Sequence, residues 1–173
     1  MQRVLAVSYG EYSEAAAHVS AVISMNVTGT IDAILNQKSG DIWFVTPDAT
    51  VFDAISKMAE KNVGALVVME DDKLVGILSE RDYTRKVMLR GKRSRETPVR
   101  EIMSIELTTV HSKESVDDCL RFMTEKRVRH LPVVDGGKLR GVISIGDLVK
   151  HVISVQSATL EHLERYISGG YAS

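Results

Sequence analysis

The chain has 173 residues, enough for one ordinary domain or for two half-size units sharing a core, which excludes a large multidomain enzyme. Apolar residues make up 44% and charged residues 26%, a soluble globular balance that excludes long-range disorder. With 22 Lys and Arg against 23 Asp and Glu the formal charge is −1, so no global field draws in nucleic acid or an acidic lipid surface.

Met1 to Ser24 reads differently from the rest of the chain. Ala15 to Met25 is mildly apolar, but His18, Ser20 and Ser24 interrupt it well short of the roughly 20 apolar residues of a membrane span. No membrane association is expected. Only Arg3 is basic ahead of this stretch while Glu11 and Glu14 are acidic, which argues against a secretory signal or an Arg-rich presequence. The expectation is a docked or frayed helical extension, or a true start at Met25. Cys119, the single cysteine, cannot form an internal disulfide; it falls in a helical pattern and is expected in the core of a cytoplasmic protein, an organellar matrix being the alternative.

The next signal is an internal repeat. A shift of 65 residues lays Val45–Val87 onto Val110–Val152 without a gap, with 15 identities in 43 positions, among them Asp53, Met58, Leu66, Gly76, Ser79 and Asp82. Two copies of one small unit, each unable to bury its own apolar face, should pack about a pseudo-twofold axis. In each copy Thr50 or Ser115 precedes an amphipathic helix carried by Val51, Ile55, Met58 or Val116, Leu120, Met123. Two short strands come next, Ala65 to Met69 with Leu74 to Leu78, and Leu131 to Val134 with Leu139 to Ile143. Asp71-Asp72 and Gly136-Gly137 supply the tight turns between them. A second helix is expected from Glu80 to about Leu89 and from Gly146 to about Val155, giving an αββα unit.

Gly76-Ile77-Leu78-Ser79-Glu80-Arg81-Asp82 and Gly141-Val142-Ile143-Ser144-Ile145-Gly146-Asp147 resemble the G-h-h-[ST]-x-x-D signature of the CBS domain. This is the tandem regulatory module of cystathionine β-synthase, inosine monophosphate dehydrogenase and the AMP-activated kinase γ subunit. Asn62 to Val68 and Arg129 to Val134 are similar to the strand after the first helix of such domains. Ser79 to Tyr83 with Thr97, Ile102 and Met103 resembles stand-alone CBS-pair proteins of bacteria and plant organelles. The resemblance implies an α/β (α+β) fold of two pseudo-twofold-related αββα repeats, with small sheets covered by helices. The division expected is an extension over 1–29, repeats over 30–92 and 93–155, and a C-terminal helix and tail over 156–173, which leaves no room for a catalytic domain.

Without the family, Ser-x-x-Asp directly after an apolar strand is a capping box. Thr50-x-x-Asp53 and Ser115-x-x-Asp118 read as plain caps. At the second helices the context adds more: Gly76 and Gly141 remove a side chain where a ligand could approach the backbone, and helix amides suit phosphate. A carboxylate there can accept both hydroxyls of a ribose.

The resemblance implies two nucleoside sites in the cleft between the repeats. Asp82 and Asp147 would hold ribose, with Ser79 and Ser144 toward ribose or phosphate, and Arg81, Ile145 and Gly146 completing the signature. Adenine would lie near Val45, Thr46 and Pro47, and near Val63, Gly64, Ala65 or Val128. Arg129 and His130 are the best phosphate ligands, although His130 could equally be a histidine satisfied at a strand end. Gly64 and Ala65 stand in their places in repeat one, so the two sites should differ.

Arg85 to Arg100 carries seven basic residues against Glu96 and reads first as a solvated helix end and loop, then as extra charge for polyphosphates or the pyrophosphate of NAD. No aromatic residue interleaves it, so nucleic-acid binding is not expected. Gly136-Gly137-Lys138-Leu139 lacks P-loop spacing, the five histidines show no metal-ligand spacing, and Cys119 has no evident base. Catalysis and metal binding are therefore not expected. Leu160, Leu163 and Ile167 suggest a short separate helix stopped by Gly169-Gly170, which with the N-terminal segment could close a homodimer. The expected function is non-catalytic sensing of an adenosyl ligand, AMP, ADP or ATP and next NAD(H), relayed to an unidentified protein target. A constitutive dimeric scaffold with silent pockets is the first alternative and a nucleotide-processing enzyme the second.

Overall fold

Both hairpins turn on two residues in the left-handed region. Asp71 and Asp72 have φ of 47° and 61°, and Gly136 and Gly137 have 55° and 77°, the primed-turn geometry that matches the twist of paired strands. The computed structural model describes residues 29–38 and 40–169; the expected N-terminal extension, save Gly29, and the last four residues lie outside that range. In chain order the elements are α1 (Ile31–Leu35), β1 (Phe44–Val45), α2 (Val51–Lys61), β2 (Ala65–Glu70), β3 (Lys73–Ser79), α3 (Glu80–Lys86), α4 (Val116–Lys126), β4 (His130–Asp135), β5 (Lys138–Ser144) and α5 (Ile145–Gly169). Two 3₁₀ turns, Met88–Arg90 and Val99–Glu101, lie between α3 and α4.

The α+β architecture is the one expected. β2 pairs antiparallel with β3, and β4 with β5; the register slips by one residue between Val68 and Met69 and again between Val133 and Val134. β1 adds to β2 in parallel, and an isolated bridge from Val110 to Val133 does the same for the second sheet. These short parallel pairings precede the first helix of each repeat, and the sequence pattern does not announce them. The hydroxyls of Thr50 and Ser115 accept the amides of Asp53 and Asp118 at 3.1 and 3.0 Å, as plain caps do. Asn62 and Arg127 then end α2 and α4 in the left-handed region.

α5 departs from expectation. Val155 does not end it; the helix runs unbroken for 25 residues through the expected boundary. Its Ser154-Val155-Gln156-Ser157-Ala158-Thr159 stretch is polar but holds neither Gly nor Pro, and Thr159 Oγ1 donates back to the Val155 carbonyl at 3.0 Å.

The two cores are built by exchange. One contains Val51, Ala54, Met58, Leu66, Val68 and Leu78 of the aligned stretch 45–87 together with Val99 and Ile102 from the start of the second expected repeat, ahead of its aligned stretch 110–152. The other contains Val116, Cys119, Met123, Leu131 and Ile143 of the stretch 110–152 together with Ile31 and Ile34 from the start of the first expected repeat, ahead of the stretch 45–87. Backbone bonds mirror the exchange: Ile31 N–H donates to the Glu114 carbonyl and Asp32 N–H to that of Ser112, while Val99 N–H donates to Ala49 and Arg100 N–H to Pro47. Each repeat is thus completed by the segment that leads into the other.

The signature glycines serve this exchange. A Cβ on Gly76 would lie 2.8 Å from Met103 Sδ and 3.2 Å from the Ser104 carbonyl oxygen, and one on Gly141 would lie 2.7 Å from Leu35 Cδ2. The expectation that these glycines open the backbone to a ligand is therefore corrected: the space beside them is filled by the leading segments. Ile77 and Ser104 exchange two backbone hydrogen bonds, at 3.0 and 2.9 Å, so Ser104 cannot retreat cheaply. Gly76→Ala is expected to lower stability by about 1–3 kcal/mol, the usual cost of overpacking, read as a lower denaturation midpoint in urea.

Candidate functional site

β3 passes into α3 with no intervening loop, so the last strand residue, Ser79, is also the helix N-cap. Ser79 donates to Asp82 Oδ2 from its amide at 3.0 Å and its hydroxyl at 2.6 Å, and Asp82 N–H returns a bond to Ser79 Oγ at 3.3 Å. The same reciprocal box recurs at the start of α5, where Ser144 donates to Asp147 Oδ2 from its amide at 2.8 Å and its hydroxyl at 2.7 Å. Each aspartate is thereby fixed at the first turn of a helix.

A cleft of about 270 Å³ opens between the repeats. On one wall stand Gly64, Ser79, Glu80, Arg81 and Asp82; on the other, Arg127, Val128, Arg129 and His130; Ser104 to Thr108 contribute Ser104, Glu106, Leu107 and Thr108. Arg81 bridges the walls, its Nη1 donating to the Arg127 carbonyl at 3.0 Å. The Asp82 carboxylate of repeat one thus faces the same space as the Arg129-His130 pair of repeat two. Asp82 also meets Lys86 at 2.8 Å, one turn along its own helix, and Lys86 in turn bonds the Ile102 carbonyl at 2.7 Å.

Of the residues singled out by sequence, this cleft gathers Gly64, Ser79, Arg81, Asp82, Val128, Arg129 and His130. Val45, Thr46, Pro47, Val63, Ala65, Ser144, Ile145, Gly146 and Asp147 do not line it. Val45 belongs to the first core, and the Pro47 carbonyl is used by the Arg100 amide. Sequence reading missed Glu106, Leu107 and Thr108 because they precede Val110, where the gapless repeat alignment begins.

Asp147 lies elsewhere, on an outer cleft of about 380 Å³ between α1 and α5 with Gln37, Lys38, Lys150, His151 and Ser154. Lys38 Nζ donates to Asp147 Oδ2 at 2.8 Å and to the Val142 carbonyl at 3.1 Å. Burial pushes the Asp147 carboxyl up, but the Lys38 ammonium and the Ser144 amide and hydroxyl outweigh it and hold the group below the ordinary aspartate value.

The basic stretch is largely spent on pairing. Lys92 meets Glu101 at 2.6 Å, Arg93 meets Glu96 at 3.0 Å, Arg100 meets Asp48, and the Arg95 guanidinium lies 3.6 Å from the centre of the Phe52 ring. None of these four lines the cleft. Burial raises the Cys119 thiol to about 11, so it is protonated at neutral pH and a poor nucleophile. Among the described residues no cluster of three His, Cys, Asp or Glu side chains is placed to hold a metal ion, and no helix is long and apolar enough to cross a membrane.

Comparison with known proteins recognises both repeats. The CBS domain family matches residues 37–89 and 99–154. The chain belongs to the CBS domain family. It is 40% identical over 151 residues to the mitochondrial CBS domain-containing protein CBSX3 of Arabidopsis thaliana, covering 82% of this chain and 73% of that one. A CBS-domain protein of Burkholderia ambifaria is 50% identical and superposes with a TM-score of 0.71 over 73% of this chain and 95% of its own. The CBS domain pair of protein MJ0100, solved with 5′-methylthioadenosine and S-adenosyl-L-methionine, shares the fold at a TM-score of 0.63 and 22% identity, over 70% of this chain and 94% of its own.

His130 gives the CBS pair a pH dependence. Burial, then the nearby Lys38 and Arg129 cations, hold its imidazole below the ordinary 6.5 against the pull of Asp147. The unfolded chain takes up that proton near 6.5 and the folded chain only at lower pH, so stability falls as pH drops through this window. Asp147 titrates below 3.8 and does not contribute there. Urea midpoints measured at pH 7.5 and pH 5 are expected to fall on acidification, by less in His130→Gln.

Proposed function

We propose that this CBS pair is a non-catalytic sensor whose inter-repeat cleft binds an adenosyl mononucleotide, with AMP the first ligand to test. The observation that carries the reading is the meeting of Asp82 with Arg129 and His130 across a single cleft. Asp82 is fixed by its capping box to accept ribose hydroxyls, while a guanidinium and an imidazole on the facing wall suit phosphate. The volume of about 270 Å³ lies at the small end of ligand pockets and favours a mononucleotide over NAD(H). The adenosyl ligands bound by the MJ0100 domain pair support the same chemical class.

The ligand spans both repeats, so it biases whichever relative arrangement places the two walls at the right separation. The Arg81 bridge to the Arg127 carbonyl is the contact most directly exposed to that bias. Calorimetry on nucleotide-free protein is expected to show AMP binding that weakens about ten- to a hundredfold in Arg129→Ala, and at least tenfold in Asp82→Ala, from the loss of charge-assisted hydrogen bonds. Asp147→Ala should cost far less. A flat response to AMP, ADP, ATP, NAD and S-adenosylmethionine by folded protein would instead leave a scaffold, and turnover of the nucleotide would leave an enzyme.

The output is proposed to pass through a second copy of the chain. Ile145, Val149, Ile153 and Leu160 are 39%, 45%, 57% and 61% exposed along one 25-residue helix, an apolar stripe that water alone does not favour. A related CBS-CP12 protein from cyanobacteria, 30% identical, is hexameric. Light scattering at micromolar concentration is expected to give a dimer mass that shifts toward the monomer in Ile153→Glu; a wild-type monomer would remove this surface from the signalling route.

A further inference from the structure

Most of the charged side chains around the inter-repeat cleft are already engaged. Asp82 holds its capping box on Oδ2 and the Lys86 ammonium, 2.8 Å away, on Oδ1. Arg81 donates to the Arg127 carbonyl at 3.0 Å. Glu80 and His130 face each other over Gly64: the carboxylate comes within 3.5 Å, and the imidazole within 3.4 Å, of the point a Gly64 Cβ would occupy. Arg127, Arg129 and Glu106 remain, and among the described residues none of the three is in an ion pair.

Glu106 is brought into the cleft by its backbone. Ser104 exchanges bonds of 3.0 and 2.9 Å with Ile77 on β3, and Val110 makes bonds of 3.1 and 2.9 Å with Pro132 and Val134 on β4. Residues 105–109 are therefore a strap tied at each end to a different repeat. Val110 bridges Val133 in parallel, so counting back four residues on each side brings Glu106 level with Arg129. The fold accepts either sign of charge at this position. In the leading segments the repeats are offset by 68 residues, since Thr30 bridges Ser115 as Pro98 bridges Thr50, and Leu35 fills the space beside Gly141 as Met103 fills that beside Gly76. By that offset the counterpart of Glu106 is Lys38, a cation.

A phosphate monoester carries about −1.5 to −2 charges at neutral pH, which the two unpaired guanidiniums match. A second phosphate finds little further cation: Lys92, Arg93, Arg95 and Arg100 are engaged with Glu101, Glu96, the Phe52 ring and Asp48, and none of them lines the cleft. It meets the Glu106 carboxylate instead, like charge against like charge. We propose that Glu106 sets the phosphate count of the ligand, so that the cleft takes a nucleoside monophosphate and turns away the di- and triphosphate by repulsion at this carboxylate. The proposal rests on the nucleotide reading of the cleft and adds the residue that grades its ligands.

The test is calorimetric titration of the full chain with AMP, ADP and ATP in EDTA, so that no Mg2+ masks the added phosphates. Wild type, Glu106→Gln and Glu106→Lys are compared, each first checked for wild-type melting. Wild type is expected to bind AMP at least about tenfold more tightly than ADP or ATP. Glu106→Gln is expected to change AMP affinity by no more than about threefold while the preference for AMP shrinks to about threefold or less, and Glu106→Lys to reverse the preference. Added salt narrows the wild-type ratio and does not narrow that of Glu106→Gln, a response that a merely structural role would not give. ADP or ATP binding to wild type as tightly as AMP, or a ratio that Glu106→Gln leaves where it was, overturns the role of Glu106 while the nucleotide reading stands. A wild type that binds none of the three overturns that reading and this one with it.

Discussion

The exchange of leading segments is the constraint on which the rest of the structure depends. Neither repeat has enough apolar surface to close a core of its own, and each borrows Ile31 with Ile34, or Val99 with Ile102, from the chain that precedes its partner. Because the borrowed residues are clamped by backbone hydrogen bonds on both sides, the repeats cannot drift apart without unpairing buried amides. Gly76 and Gly141 owe their identity to this. The borrowed Met103 and Leu35 pack into the space a Cβ would take, and at Gly76 the Ser104 carbonyl, held by backbone bonds, crowds it further.

The cleft is a by-product of the same exchange. Ser104 is held against Ile77 by two backbone bonds, and this carries Glu106, Leu107 and Thr108 to the floor of the space between Asp82 and His130. A helix that starts on the last residue of a strand delivers the capping aspartate to the same place in every copy. The start of α3 is also tied across, since Glu80 N–H donates to the Gly64 carbonyl at 3.1 Å, and Ile145 N–H does the same to Arg129 at 2.9 Å. The capping box fills one oxygen of Asp82, Oδ2, and the Lys86 ammonium meets the other at 2.8 Å, so both ends of the carboxylate are held in place.

Much of this was legible in the sequence, and the reason is the gapless offset of 65. Ser79, Asp82, Ser144 and Asp147 lie inside the aligned stretch, as do both hairpins and the first helix of each repeat, and their local signals are short-range: caps, turns and apolar stripes. What was not legible lies outside it. The leading segments keep a different offset, share little identity and act at long range, so their swap and the wall from Ser104 to Thr108 left no local mark. The unbroken length of α5 was hidden for the opposite reason: a polar stretch from Ser154 to Thr159 weakens the apolar pattern, but nothing in it breaks a helix. The basic stretch from Arg85 to Arg100 shows the limit of counting charges, since most of the excess is matched by Asp48, Glu96, Glu101 and the Phe52 ring.

Duplication gives two equal sites, and the individuality of this chain lies in how few substitutions make them unequal. Arg129 and His130 of the inter-repeat cleft stand against Gly64 and Ala65, and its Glu106 against Lys38, which borders the outer cleft together with Lys150 and His151. Both pairs of differences act on the same balance, because His130 feels Lys38 and Asp147 as well as its neighbour Arg129. A cation that quiets Asp147 removes the negative charge that would otherwise favour the protonated imidazole, and so helps keep His130 neutral at physiological pH. His130 thus stands at the seam between the repeats, where it feels Arg129 beside it and the Lys38–Asp147 pair of the outer cleft at once.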